Sequence, residues 1–392
     1  MKSIKQLYKI GYGPSSSHTI APYRMACAYR ENHPDCDRYE VSLGGSLALT
    51  AKGHGTIDII RKALECEEVS FSLEHDITEN VMDLTGYQGD KRFETWHGLS
   101  LGGGDVSVRE YDIGDDREVY PENCFSKIRA IVQERGIDLT DYAYEKEPDL
   151  KEYLKECLEV MFQTVKRGLE TEGLLNEDLK YYRVAGKLYR KAKDDRDRLV
   201  AYSYATCEEN AGGGMMCTAP TLGACGILTS LMYHLRFDKN ESIDHLCDLL
   251  TVAGIFGNCI KQNASIAGST GGCQAEVGTA CSMAAAAIAY HNKAGLGTIE
   301  YAAEMGVEHF LGLTCDPVMG YVIIPCIERN AISILKAEEC AYLASQLHEI
   351  KGNLISFDSV VHAMNYTGNK LAIELKETSL GGLSLEYHYA KH

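Results

Sequence analysis

The run Cys281-Ser282-Met283-Ala284-Ala285-Ala286-Ala287-Ile288-Ala289 holds no glycine, no proline and no charge. Alanine is the strongest helix former, and its small side chain leaves room for a neighbouring helix. The stretch predicts a helix over 281–293 packed inside an all-α bundle. Apolar residues at helical spacing extend this reading to 150–169 and 241–262 upstream, and to 298–313, 329–350 and 357–377 downstream. From about residue 124 the texture is helical. Residues 1–115 differ. Short β-like runs at 39–49, 68–73, 92–97 and 105–111 alternate with helical patterns at 23–30 and 55–65 and with Gly-rich turns. This alternation reads as an α/β or α+β domain. The boundary falls between about 112 and 150, with the acidic segments 112–118 and 145–151 as candidate linkers.

A chain of 392 residues suggests two or three domains. With 45% hydrophobic and 24% charged residues it is globular rather than disordered. The net charge of −17 repels phosphate backbones, so no nucleic-acid partner is expected. The basic cluster at 187–193 runs into Asp194, Asp195 and Asp197 and reads as a solvated helix face. No apolar run reaches the roughly 18 residues of a membrane span, so no membrane partner is expected. The first thirteen residues lack the apolar core of a signal peptide, which predicts a cytoplasmic enzyme. The 15 cysteines are odd in number and spread over a long chain, so a disulfide framework is not expected.

Three Gly/Ser/His segments of the first domain look like polar loops. Gly13-Pro14-Ser15-Ser16-Ser17-His18-Thr19 stands immediately before a helical pattern. Unpaired N–H groups at a helix start, with hydroxyl donors, suit a carboxylate or phosphate, although serine and threonine there also serve as caps. Gly53-His54-Gly55-Thr56 exposes an imidazole suited to acid–base work, or is a plain turn. Gly102-Gly103-Gly104-Asp105 permits close approach of backbone to a ligand, or a strand bulge. None matches a nucleotide-binding pattern.

Cys273, Cys315 and Cys326 each stand at a break beside or near Gly or Pro. Cys66, Cys157, Cys247 and Cys340 lie within helical patterns and read as packing, as does Cys281. Thiolates select zinc or iron–sulfur clusters, and the C-x-x-C pairs of a zinc ribbon are missing. Three thiolates could hold a [4Fe–4S] cube with one iron open, a Lewis acid for a hydroxyl leaving group. Three separate structural cysteines are the plainer alternative.

The motifs as a set resemble the iron–sulfur-dependent L-serine dehydratases in their fused single-chain form. The matching segments are residues 13–19, Gly45-Ser46-Leu47-Ala48-Leu49-Thr50, residues 53–56, Gly102 to Gly104, Thr218-Ala219-Pro220-Thr221, Asn263-Ala264-Ser265-Ile266, Gly272-Cys273-Gln274, Thr314-Cys315-Asp316-Pro317, Pro325-Cys326-Ile327-Glu328-Arg329-Asn330-Ala331 and Glu377-Thr378-Ser379. They follow the family's order along almost the whole chain. The resemblance implies an α+β fold, with a small α+β domain over 1–130, similar to a regulatory substrate-binding domain. A larger all-α cluster-binding domain follows over 131–392. It implies a [4Fe–4S] cluster on Cys273, Cys315 and Cys326, no pyridoxal phosphate, and conversion of L-serine to pyruvate and ammonia. His54 is the first choice of general base and His18 the second. Ser15, Ser16, Ser17 and Thr19 are expected to bind the substrate carboxylate, and Asn263 and Ser265 to contact substrate or cluster. The expected partners are a small amino-acid substrate and a second copy of the chain in a homo-oligomer, a dimer.

The chain departs from the family pattern at Met215 and Leu380, where arginine is usual, and at Leu222, where asparagine is usual. Ser269-Thr270-Gly271 stands where an acidic residue usually precedes Gly-Cys-Gln. The last residues carry His388 and His392 but not the cysteine with which some fused members end. Competing readings are β-elimination on L-cysteine or L-threonine, a non-catalytic iron–sulfur sensor, and a zinc-stabilised scaffold.

Overall fold

The computed structural model describes residues 1–77, 79–114 and 117–390. Asp115 and Asp116 of the first candidate linker and the terminal His392 lie outside the described residues. The fold is α+β, as expected. The sheet part is a five-stranded layer in the order β3-β2-β4-β5-β6. Its strands are β2 (Arg38–Gly44), β3 (Val69–Glu74), β4 (Val81–Gln88), β5 (Lys91–Gly102) and β6 (Asp105–Val108). β2 and β3 run parallel, and the other neighbours are antiparallel. Helices Ala21–Asn32 and Thr56–Leu64 cover one face. Met25, Tyr29, Ile60 and Leu64 meet Leu43, Leu84 and Trp96 in one core. Alternate residues of β2, Tyr39, Val41 and Leu43, point into it, as a period of two requires. The run expected at 39–49 is strand only as far as Gly44 and then turns into a short helix, Ser46–Leu49.

The helical part has its own, larger core. Helix Thr279–His291 lies inside it, with Ala284 to Ala287 all fully buried. Helix Ile243–Asn263 is long and apolar enough to cross a membrane, but 78% of its apolar window is buried in this core. Two expected helices stop early. Leu296–Glu308 ends five residues before 313, and Phe357–Lys370 ends seven before 377. Both early stops release segments that build the site.

The chain does not divide cleanly at residue 130. That position falls inside helix Phe125–Arg135, whose Phe125, Ile128 and Val132 belong to the helical core. Met1, Ile4, Leu7 and Tyr8 also pack there, and the Tyr8 hydroxyl donates to the Leu250 carbonyl at 2.7 Å. Strand β1 (Ile10–Tyr12) pairs antiparallel with the distant Met215–Cys217 strand. The chain thus starts in the helical body, crosses to build the sheet, and returns through 109–119. The segment 145–151 joins two helices of the bundle and is not an inter-domain linker.

Gly102, Gly103 and Gly104 all have positive φ and form the turn between β5 and β6. A Cβ on Gly102 would stand 2.4 Å from that of Ala267. The triple glycine lets the sheet dock on the 265–267 segment, so the bulge reading of this loop is the structural one.

Candidate active site

Two π-helical turns face the seam between sheet and bundle. Ser16–Ile20 runs into helix Ala21–Asn32, and Gln274–Gly278 runs into helix Thr279–His291. Such turns are rare and concentrate at functional sites. The first carries Ser16, Ser17, His18 and Thr19, all buried. The His18 ring stacks on that of His54, with centroids 4.3 Å apart. His54 comes from the loop between the Ser46–Leu49 turn and helix Thr56–Leu64. That loop lies so close to Gly320 that a Cβ on Gly53 would reach its carbonyl oxygen at 2.4 Å. Glycine is therefore required beside the histidine.

At the edge of both stacked rings stands Glu377, which carried no role in the sequence reading. Its Oε1 lies 3.5 Å from His54 Nε2, 3.7 Å from His18 Nδ1 and 3.4 Å from the Ser15 hydroxyl. Glu377 has φ +60°, a left-handed conformation uncommon outside glycine. Its N–H donates to the Cys315 carbonyl at 2.7 Å, and its own carbonyl accepts from Ser46 Oγ at 2.8 Å. These bonds hold the unusual turn. They also tie the imidazole pair to a cysteine segment.

The hydrogen-bond network assigns the proton on His18. Ser46 spends its hydrogen on Glu377, so His18 Nε2, 2.9 Å away, is the donor to Ser46 Oγ. His18 Nδ1 then accepts from Ser17 at 2.8 Å. Burial, and next the neighbouring His54, lower the His18 pKa from 6.5 to about 4 against the pull of Glu377, so this ring is neutral. Both its nitrogens are occupied. His54 is different: it is 1% exposed and its Nδ1 has no hydrogen-bond partner among the described residues. Glu377 Oε2 is likewise buried and unpartnered. Such atoms are costly unless something else fills the gap. Burial opposes ionisation of Glu377, but His18, His54 and Ser15 outweigh it and hold the carboxyl below the usual range.

The three cysteines come together from separate elements. Cys273 precedes the second π-turn, Cys315 lies in the segment freed after Leu296–Glu308, and Cys326 starts helix Cys326–Lys351. Cys273 and Cys315 are buried and Cys326 is half-buried. Burial, and then each other's charge, push the Cys326 thiol up, and Cys315 feels Glu276, Glu377 and both other thiols. Burial pushes Cys273 up to about 11, while Arg329 pulls the other way. Three thiols that oppose one another's ionisation are the donor set a multivalent metal centre relieves, so these residues fit an iron–sulfur cluster. Glu276 joins them: its Oε1 accepts from Thr221 Oγ1 at 2.8 Å and its Oε2 lies 3.8 Å from Cys315 Sγ. Burial, and then the charge of Glu377, push its pKa up.

Other expected residues lie elsewhere. Thr19 Oγ1 stands 2.6 Å from the Tyr12 carbonyl and 2.7 Å from that of Ser15, shaping its own turn. Asn263 Nδ2 donates to the carbonyls of Asn123 and Cys259. Ser265 Oγ accepts from Ala267 N and lines a surface cavity with Lys261. The structure does not bring Asn263 or Ser265 to the histidines. Of the family departures, Leu222 is fully buried and its carbonyl accepts from Asn210, while Met215 and Leu380 are exposed. Cys157, Cys247, Cys281 and Cys340 are buried, and Cys66 lies just past its helix. The residues the sequence reading missed are Glu377, Glu276, Ser46 and Arg329. All four stood in stretches singled out around a glycine or a cysteine or in family motifs, and a charged or hydroxyl side chain there was the available signal.

An enzyme that removes a proton from carbon needs a group like the first, and one that also expels a poor leaving group needs one like the second. The two side by side define a lyase. Comparison with known proteins narrows the class. Residues 57–384 match the family model described as serine dehydratase alpha chain, and residues 3–85 match serine dehydratase beta chain. L-serine dehydratase 2 of Escherichia coli is 34% identical, over 98% of this chain and 99% of that protein. The L-serine dehydratase of Streptomyces coelicolor is also 34% identical, over 98% of each. That of Helicobacter pylori is 31% identical, over 97% of this chain and 98% of its own. The chain belongs to the serine dehydratase family.

Proposed function

We propose that this protein is a cytoplasmic, iron–sulfur-dependent L-serine ammonia-lyase, acting as a homodimer, that converts L-serine to pyruvate and ammonia without pyridoxal phosphate. The observation that carries the reading is the free Nδ1 of buried His54, on a ring faced by Glu377, one backbone hydrogen bond from Cys315. Cys273, Cys315 and Cys326 would hold a [4Fe–4S] cluster. Such a cluster, when bound, supplies a Lewis acid for the departing hydroxyl.

The chain's own residues do the rest. The Glu377 carboxylate orients His54 with Nε2–H toward itself, which leaves Nδ1 to take the substrate α-proton. It then stabilises the imidazolium that forms, as a buried carboxylate does in a catalytic triad. Glu377 Oε2 offers an acceptor to the substrate ammonium. With the Ser15 and Ser17 hydroxyls directed to Glu377 and His18, the Ser16 hydroxyl and the N–H groups of Ser16 and Ser17 at the start of the π-turn offer donors to the carboxylate. His18, neutral and bonded at both nitrogens, positions Ser17 and Ser46 and stacks on His54 rather than acting as the base. Closure of the seam over the histidines excludes water, which protects the enamine product of elimination until it is released to hydrolyse.

The test is anaerobic purification, iron and sulfide counting, and a substrate screen. Pyruvate and ammonia from L-serine, with about four irons per chain, is the expected result. Hydrogen sulfide from L-cysteine or 2-oxobutyrate from L-threonine as the preferred product would reassign the substrate. A cluster without turnover would make the protein a sensor.

A further inference from the structure

Arg329 joins two of the three thiol-bearing segments. It lies in the first turn of helix Cys326–Lys351, three residues after Cys326. Nη1 donates to the Thr314 carbonyl at 2.6 Å and Nη2 to Asp316 Oδ1 at 3.3 Å, so the guanidinium grips Cys315 from both sides. Its guanidinium also lies within the field of the Cys273 and Cys326 thiols. Asp316 is held in turn by the Thr314 hydroxyl at 3.1 Å and by the Leu383 N–H at 2.8 Å. Leu383 belongs to helix Gly382–Ala390, so the last helix braces the same point. The Arg329 side chain is only 18% exposed. A flat fork with five donors in fixed directions can bind several acceptors at once, whereas a lysine ammonium is a point charge on a flexible stem. None of these bonds goes to His18, His54 or Glu377, so the arginine is not part of the proton-transfer group.

We propose that Arg329 is a positioning residue: it locks the Cys315 segment to the helix that begins at Cys326 and holds a fixed positive charge beside the ligand set that includes Cys273. The inference rests on the cluster reading above and deepens it. A fixed positive charge beside ligand sulfurs offsets their negative charge, which raises the cluster's reduction potential and slows loss of iron. Loss of such an outer partner typically weakens metal binding about 10–100-fold.

The experiment compares the wild-type chain with Arg329→Met and Arg329→Lys after the same anaerobic iron and sulfide loading. It reads bound iron and sulfide, the rate at which the brown absorbance fades in air, and the midpoint potential. Arg329→Met is expected to fade at least about tenfold faster with a lowered potential. Arg329→Lys, which keeps the charge but loses the fork, is expected to fall between. Arg329→Met with wild-type fading and potential overturns the proposal. If that variant does not fold, as circular dichroism would reveal, Arg329→Lys decides: wild-type values in all three readouts overturn it equally. A wild-type chain that takes up no iron and sulfide would instead overturn the cluster reading, before any variant is compared.

Discussion

Glu377, buried, and Glu276, half-buried, sit in neighbouring regions of one site, and their carboxyls shift in opposite directions. Glu377 stands among two imidazoles and a serine hydroxyl and is held ionised. Glu276 faces the Cys315 thiol and the charge of Glu377, and its pKa rises. Desolvation pushes both carboxyls upward, so the neighbours decide the sign. One region keeps a fixed negative charge beside a free imidazole nitrogen. The other keeps three thiols and a carboxyl whose charges disfavour one another, the donor set that the proposed metal centre would relieve. The division of labour in the proposed elimination follows: proton removal in the first region, support of the leaving group in the second.

The comparison can be broken at several points. Cys315→Ala should remove the brown colour and the activity together, because the thiol region loses a ligand. Normal turnover in that variant would rule out the cluster. His54→Ala should keep iron and sulfide at wild-type levels while kcat falls at least about a hundredfold, within the range for general acid–base groups. A fast His54→Ala enzyme places the base elsewhere. Glu377→Gln keeps the shape but removes the charge that supports the imidazolium. It should lower kcat about tenfold or more with the cluster retained, and loss of the cluster instead would mean that the two regions are not separable.

The pH response sharpens the first region alone. His18 has a folded-state pKa of about 4 against 6.5 for the free side chain. Its contribution to stability is therefore present above pH 6.5 and is lost as pH falls from 6.5 through about 4, because the unfolded chain binds the proton first. Urea midpoints of the cluster-free protein across that window should decline, and the decline should be shallower in His18→Asn. The smallest expected effect is that of Ser17→Ala, which removes the 2.8 Å bond to His18 Nδ1. A stability loss of about 1 kcal/mol, read from denaturant midpoints, is the value of one such bond. Cluster content should not change.

Much of the architecture was legible along the chain. The alanine-rich run is a buried helix, β-like alternation marks the sheet domain, and the three cysteines at chain breaks do converge. The errors share a cause. Periodicity continued two helices past their ends, at 313 and 377, because a local pattern carries no record of where a distant partner captures the backbone. Leu371 leaves the helix with ψ 136°, and six residues on, Glu377 meets Cys315. The domain boundary at 130 failed similarly: Ile4, Leu7 and Tyr8 are apolar in any context, and only the fold shows that they fill the helical core.

Residue types point to the proposed side-chain chemistry: thiols for a soft metal centre, imidazoles for proton transfer, hydroxyls before a helix for an anion. Which of them cooperate was not. Ser15 and Glu377 are 362 positions apart and meet at 3.4 Å. Glu377 gained its role when a helix stopped at Lys370 and the freed strand of backbone paired with Cys315. The reason is physical. Helical and strand periods arise from contacts a few residues apart, whereas a buried charge takes its protonation state from whatever the folded chain brings within a few ångströms.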